Sequence, residues 1–122
     1  MSEAAERLTR AIVARDFDAA AAALHPEIDF RAMTPSRIWE ADGPAGVTDV
    51  LREWLADPDE EVDAIEQLPE SSVEDTGRTG WRVRGRNAGG PFVFEQVAYM
   101  RERDDRVAWL RVMCTGPRPT GG

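Results

Sequence analysis

The clearest hydrophobic pattern in the chain lies in its C-terminal third, where apolar and polar positions alternate. Trp81 to Arg86 leads into the turn-forming stretch Asn87-Ala88-Gly89-Gly90-Pro91. Phe92 to Arg101 then alternates across two faces, and after Arg103-Asp104-Asp105 comes Val107 to Thr115. Period-two runs punctuated by Gly, Pro, Asn and Asp predict a meander of antiparallel strands. Earlier in the chain the period is helical. Ser2 is placed to cap a first helix that shows Leu8 and Ile12 on one side, and Asp16 to cap a second, Phe17 to Leu24. Five consecutive alanines let the second helix pack closely before His25-Pro26 ends it. Ile28, Phe30 and Ala32 alternate as a short strand; Thr34-Pro35-Ser36 breaks it, and Ile38 and Trp39 resume an edge. Asp42-Gly43-Pro44 introduces a third helix with Val47, Val50, Leu51 and Trp54 at helical spacing, stopped by Pro58. Asp59-Glu60-Glu61 reads as a solvated acidic run, Val62 to Leu68 as a strand, and Pro69 to Gly80 as an exposed polar turn region. Helices first and strands last predict an α+β domain whose helices cover one face of a curved sheet.

Composition narrows this picture. A chain of 122 residues with 42% hydrophobic content supplies one core and not two, so a single domain over 1–116 is expected, with 117–122, mostly Gly and Pro, as a flexible tail. The net charge is −8 and all fifteen basic residues are arginine, spread without a long basic run. Phosphate backbones would be repelled, which argues against nucleic acid as a partner. No apolar run approaches the roughly twenty residues of a membrane span, and the first residues lack the basic-then-apolar order of a secretory signal. A cytoplasmic protein with no membrane partner is expected. One cysteine and one histidine cannot build a disulfide or a thiol- or histidine-rich metal site, so the expected chemistry uses neither metal nor cofactor.

The order helix, helix, short strand, helix, then four strands resembles the nuclear transport factor 2-like superfamily, and within it the bacterial SnoaL-like proteins. The likeness spans about residues 4 to 116 and is carried by Asp16-Phe17-Asp18-Ala19, Pro26-Glu27, Gly43 and the final meander. The ending Cys114-Thr115-Gly116-Pro117-Arg118-Pro119 is also similar to the Cys-Ser-Gly-Phe-Arg-Pro ending of small SnoaL-like proteins. The resemblance implies a cone-shaped, cystatin-like α+β barrel in which three N-terminal helices pack on a strongly curved, mostly antiparallel sheet. It further implies a mostly apolar cavity and a homodimer. Implied in turn is a protein that binds a polyketide-, terpenoid- or steroid-like molecule and catalyses its cyclisation, isomerisation or dehydration without cofactor. The alternative is a non-catalytic ligand-binding or dimeric interaction module. Ketosteroid isomerase can be laid on Trp81 to Met100 without gaps, but its carboxylate base would fall on Ala32 or Thr34, its tyrosine on Leu8 and its protonated aspartate on Ala98. Without base or oxyanion donors that mechanism has no driving force.

The same overlay points Trp81, Val83, Phe94, Gln96, Ala98, Leu110, Val112 and Cys114 into the cone. Ile12, Leu24, Val50, Leu51 and Trp54 form its helical wall, and Trp39 is an apolar lid. Each could equally be ordinary core. The facing of the last strand depends on the loop before it. A three-residue Arg103-Asp104-Asp105 loop gives the set above, whereas a two-residue turn would bring in Trp109, Arg111 and Met113 instead. The absence of glycine at Asp104-Asp105 favours the longer loop.

Gln96 can donate and accept, so it could orient a carbonyl or hydroxyl, or be a buried amide satisfied within the protein. Cys114 reads as a small buried hydrophobe. His25 is placed to cap the last carbonyls of the second helix, but is the one side chain that ordinarily titrates near neutrality. Asp42 could form a polar gate with Arg37 and Glu40, or simply cap the third helix. Gln96, Asp42 and His25 are thus the catalytic candidates. On the outer sheet face Val93, Val97 and Tyr99 are apolar enough to expect a partner subunit.

Overall fold

The computed structural model describes residues 1–120. Its elements are α1 (Glu3–Val13), α2 (Phe17–Ala22), β1 (Leu24–Thr34), β2 (Arg37–Asp42), α3 (Gly43–Leu55), β3 (Glu61–Val73), β4 (Thr76–Asn87), β5 (Gly90–Arg103), β6 (Arg106–Cys114) and β7 (Arg118–Pro119). The strands form one curved sheet in the order β2-β1-β6-β5-β4-β3, and β7 pairs with β5 off that path. Among the described residues, only β1 and β6 run parallel. The sheet ends in the free edges β2 and β3, so it is unclosed.

Sequence patterning accounts for how the helices sit on this sheet. Ser2 accepts from the Ala5 N–H at 3.1 Å and Asp16 from the Ala19 N–H at 3.0 Å, satisfying N-terminal donors of α1 and α2. Ala4, Ala5, Leu8, Ala11 and Ile12 form the buried stripe of α1, which lies across β3 to β6. Val47, Val50, Leu51 and Leu55 do the same for α3 against β1 and β2. Opposite them, Phe92, Phe94, Gln96, Ala98 and Met100 are the buried alternate residues of β5. Among the described residues, no helix is long and apolar enough to cross a membrane.

Four expectations change. The second helix stops at Ala22, because the Val107 N–H donates to Ala23 O at 2.9 Å and draws Leu24 into register with β6. Leu24 and His25 therefore begin a strand, and His25 caps nothing. The polar region 69–80 is a hairpin: β3 continues to Val73 and β4 starts at Thr76, around the turn Glu74-Asp75. Its tip carries no apolar alternation since residues 69–75 are exposed on both faces. Of the segment 117–122 read as a flexible tail, Arg118 and Pro119 pair with Val93 and Phe92, while 121–122 lie outside the described residues.

The fourth change concerns the last hairpin. It has the short turn, with Asp104 and Asp105 both at positive φ (55° and 63°), yet Leu110 and Val112 still face inward. A bulge reconciles the two: Glu102 pairs with Val107 and Arg101 with Trp109, so Ala108 is an extra residue that restores the facing.

Candidate functional site

A cavity of about 340 Å³ opens where β2, α3 and the ends of β5 and β6 converge. Phe94 and Gln96, which are 5% and 1% exposed, form its buried end with Cys114 beside them. Trp39 from β2 and Trp54 from α3 supply aromatic wall. Thr34, Pro35, Arg37, Gly116 and Pro117 belong to its rim, as do the acids Glu53, Asp57 and Glu60. Gly116 is required there: its φ is 74°, and a Cβ would fall 2.6 Å from Pro35 Cγ.

Gln96 is held by Trp81, whose indole N–H donates to Oε1 at 2.7 Å in a fully buried bond. An indole nitrogen can only donate, so the amide oxygen must face Trp81 and the amide nitrogen is the end left for the cavity. Trp39 donates from Nε1 to Thr34 Oγ1 at 2.8 Å and meets Trp54 edge-on, with ring centroids 5.7 Å apart. The Arg37 guanidinium lies 3.3 Å over the Trp39 ring and 3.9 Å from Glu53. Trp54 Nε1 is buried and has no hydrogen-bond partner among the described residues.

The acids come from the turn that follows α3. The Glu60 N–H donates to Asp57 O at 3.1 Å and the Asp59 N–H to Asp57 Oδ1 at 2.8 Å, which curls residues 57–60 back toward the cavity. Burial, and then repulsion from Asp57 and Asp59, holds the Glu60 carboxyl above its ordinary pKa. Glu60 is therefore not part of a fully solvated run, contrary to the sequence reading. Its signal was Pro58 between two acids, which marks a tight turn directly after a helix whose Trp54 faces inward.

The other expected site residues fall in three places. Trp39, Trp54, Phe94, Gln96 and Cys114 line the cavity. Trp81, Val83, Ala98, Leu110 and Val112 face the same side of the sheet but are sealed in packed core at 0–2% exposure and line none of it, and of the expected helical wall Ile12, Leu24, Val50 and Leu51 are likewise core and away from the cavity. Asp42 is exposed at the N-cap position of α3, makes no capping bond through its side chain, and is not at the cavity. Glu40 pairs with Arg31 at 3.6 Å, leaving Arg37 alone of the expected gate.

His25 is excluded by distance: its neighbour Leu24 pairs with Val107, while Cys114 at the cavity lies seven residues further along β6, on the order of 20 Å away. There His25 Nδ1 accepts from the Glu27 N–H at 3.0 Å, which puts the ring proton on Nε2, 3.3 Å from Asp104 Oδ2. Arg111 also points away from the cavity, to Asp29 Oδ1 at 3.1 Å. At the isomerase positions, Leu8, Ala32 and Ala98 are buried and only Thr34 reaches the cavity.

A curved, unclosed sheet wrapped on helices, with an aromatic cavity at one end, defines the nuclear transport factor 2-like class, the ketosteroid isomerase-like fold. A SnoaL-like domain model matches residues 5–110, and the chain belongs to that family. Solved structures with this fold include an LEH-like epoxide hydrolase from M. tuberculosis, 15% identical with a TM-score of 0.65 over 91% of this chain and 79% of that one. A protein provisionally assigned as a polyketide cyclase from Sinorhizobium meliloti is 16% identical, with a TM-score of 0.66 over 92% and 94%. A ketosteroid isomerase-like protein from Catenulispora acidiphila, in complex with trimethylamine, is 10% identical, with a TM-score of 0.67 over 92% and 85%. No curated protein matches the chain.

Proposed function

We propose that the protein binds a hydrophobic small molecule, of polyketide-, terpenoid- or steroid-like kind, between Trp39, Trp54 and Phe94. The observation that carries this reading is Gln96. A side chain 1% exposed, with its oxygen occupied by Trp81, presents amide N–H groups at the buried end of a cavity walled by Trp39, Trp54 and Phe94. Sparse polar groups in an apolar concavity are what orient small ligands. At about 340 Å³ the cavity is near the lower end of ligand-pocket volumes, which favours small members of the class. A cytoplasmic, cofactor-free homodimer belongs to the same proposal.

One observation favours turnover as a second reading. Glu60, with its pKa raised, is a rim acid suited to giving a proton to a departing hydroxyl in a dehydration, or to moving one in an isomerisation or cyclisation. The family's fold hosts many chemistries, so the reaction rests on this site and not on the fold.

The test is thermal unfolding against a panel of ring-bearing metabolites, with a cavity-filling Cys114→Phe variant beside the wild type. A rise in melting temperature that the variant loses supports the binding reading, since a ligand specific to the native state stabilises by mass action. An equal rise in both proteins would place the ligand elsewhere. Turnover of the binding compound that Glu60→Gln abolishes, while saturating compound still raises that variant's melting temperature, would support the enzyme over the carrier.

A further inference from the structure

We infer that the ligand of this cavity is an amine: a ring body whose protonated nitrogen sits at the mouth beside Asp57 and Glu60 and whose carbonyl or hydroxyl oxygen takes the Gln96 amide N–H. The inference rests on the binding reading above and adds the ligand's polarity.

At the buried end the Gln96 amide offers a hydrogen-bond donor. Trp81 fixes the orientation of the Gln96 amide, so Nε2 is its cavity-facing atom. An oxygen acceptor satisfies such an end, and an ammonium does not.

The mouth has the opposite character. Of its four charged side chains, Glu53, Asp57 and Glu60 are acids, and the fourth, Arg37, is already engaged on the Trp39 ring and near Glu53. Asp57 and Glu60 are half-buried, and no described cationic group lies within 4.0 Å of either. Burial disfavours the charged Glu60 carboxylate, and repulsion from Asp57 and Asp59 adds to the cost, which together raise the Glu60 pKa. A cation arriving between Asp57 and Glu60 relieves both terms, whereas a carboxylate or phosphate would add to them. Trp39 already carries a guanidinium on its ring, so aromatic faces at this mouth are disposed to hold positive charge. The net charge of −8 steers cations toward the protein and anions away.

The experiment uses three probes on one bicyclic ketone body: 1-tetralone bearing an aminomethyl, a hydroxymethyl or a carboxymethyl group at the far ring. Binding is measured by calorimetry at neutral pH to the wild type and to Asp57→Asn/Glu60→Gln. Both changes lie in a surface turn, and Asn keeps the acceptor for the Asp59 N–H. The amine is expected to bind the wild type about tenfold or more tightly than the alcohol, with the carboxylate weakest. In the double variant the amine should fall to the level of the alcohol while the alcohol's affinity stays unchanged. Equal binding of amine and alcohol to the wild type, or an amine preference that survives in the variant, overturns the cation site and leaves the ligand cavity standing. Absence of binding by all three probes overturns both.

Discussion

Gln96 and Trp81 show how one side chain can serve structure and site together. The sequence singled out Gln96 as a polar residue among inward apolar neighbours. It could not show that Trp81, fifteen residues earlier, faces it directly across the β4–β5 ladder and takes its oxygen. Gln96→Leu is therefore expected to leave the Trp81 N–H buried without an acceptor, costing about 1–3 kcal/mol. Trp81→Phe combined with Gln96→Leu should cost clearly less than the sum of the singles in denaturant titrations, because the pair is coupled. Strict additivity would deny that the bond matters. Glu60 was missed because local composition makes an acidic run look solvated, while only the fold shows a cavity beside the turn. Its folded pKa is raised, so its ionisation destabilises the native state: the contribution is favourable below the ordinary carboxylate value and is lost as pH rises through the folded one. Glu60→Gln should raise the melting temperature at neutral pH, and the gain should disappear in acid below the carboxylate range. A gain independent of pH would refute this assignment.

The β5–β6 hairpin reaches the facing expected from its alternation by a different turn. The alternating pattern placed Leu110 and Val112 inward, and burial of those side chains fixed the facing, as it must when one sheet face is core. The chain reaches that facing with a two-residue turn plus an extra residue at Ala108, not with a three-residue loop. Glycine is absent from the turn, yet both aspartates adopt the left-handed conformation, which L residues other than Asn and Asp rarely tolerate. Asp105→Gly is expected to relieve roughly 1 kcal/mol of that cost. The loss of its exposed pair with Arg7 at 3.7 Å offsets a small part. The backbone carbonyl of residue 105, which accepts from Arg7 at 2.7 Å, remains. A small rise in the urea midpoint at constant slope is the expected result, and a fall would mean the Arg7 pair outweighs the strain.

At the scale of the whole molecule, the outer face of the sheet bears on assembly. Met33, Ile38 and Met113 are 50%, 68% and 58% exposed, and Val97 and Tyr99 beside them are half-buried. Under the homodimer proposal this face meets its copy. Sedimentation equilibrium should then give a dimer at micromolar concentration, and Ile38→Asp with Met113→Asp a folded monomer; a monomeric wild type would remove the proposal. The sequence by itself determined the α+β class, the caps of α1 and α2, and the inward alternation of β5, because each depends on neighbours within a few residues. It also carried the SnoaL-like likeness through element order. Tertiary structure alone decided the extent of β1 and β3, the bulge at Ala108, and the division of fourteen expected cavity residues into five that line it and nine packed in core. Every inward residue has the same pattern in sequence, and whether it meets space or another side chain is set by how closely α1 and α3 approach the sheet. The acids at the mouth were placed by the same contact: the α3–β3 turn meets the end of the β1–β2 hairpin only when both elements are docked on the core.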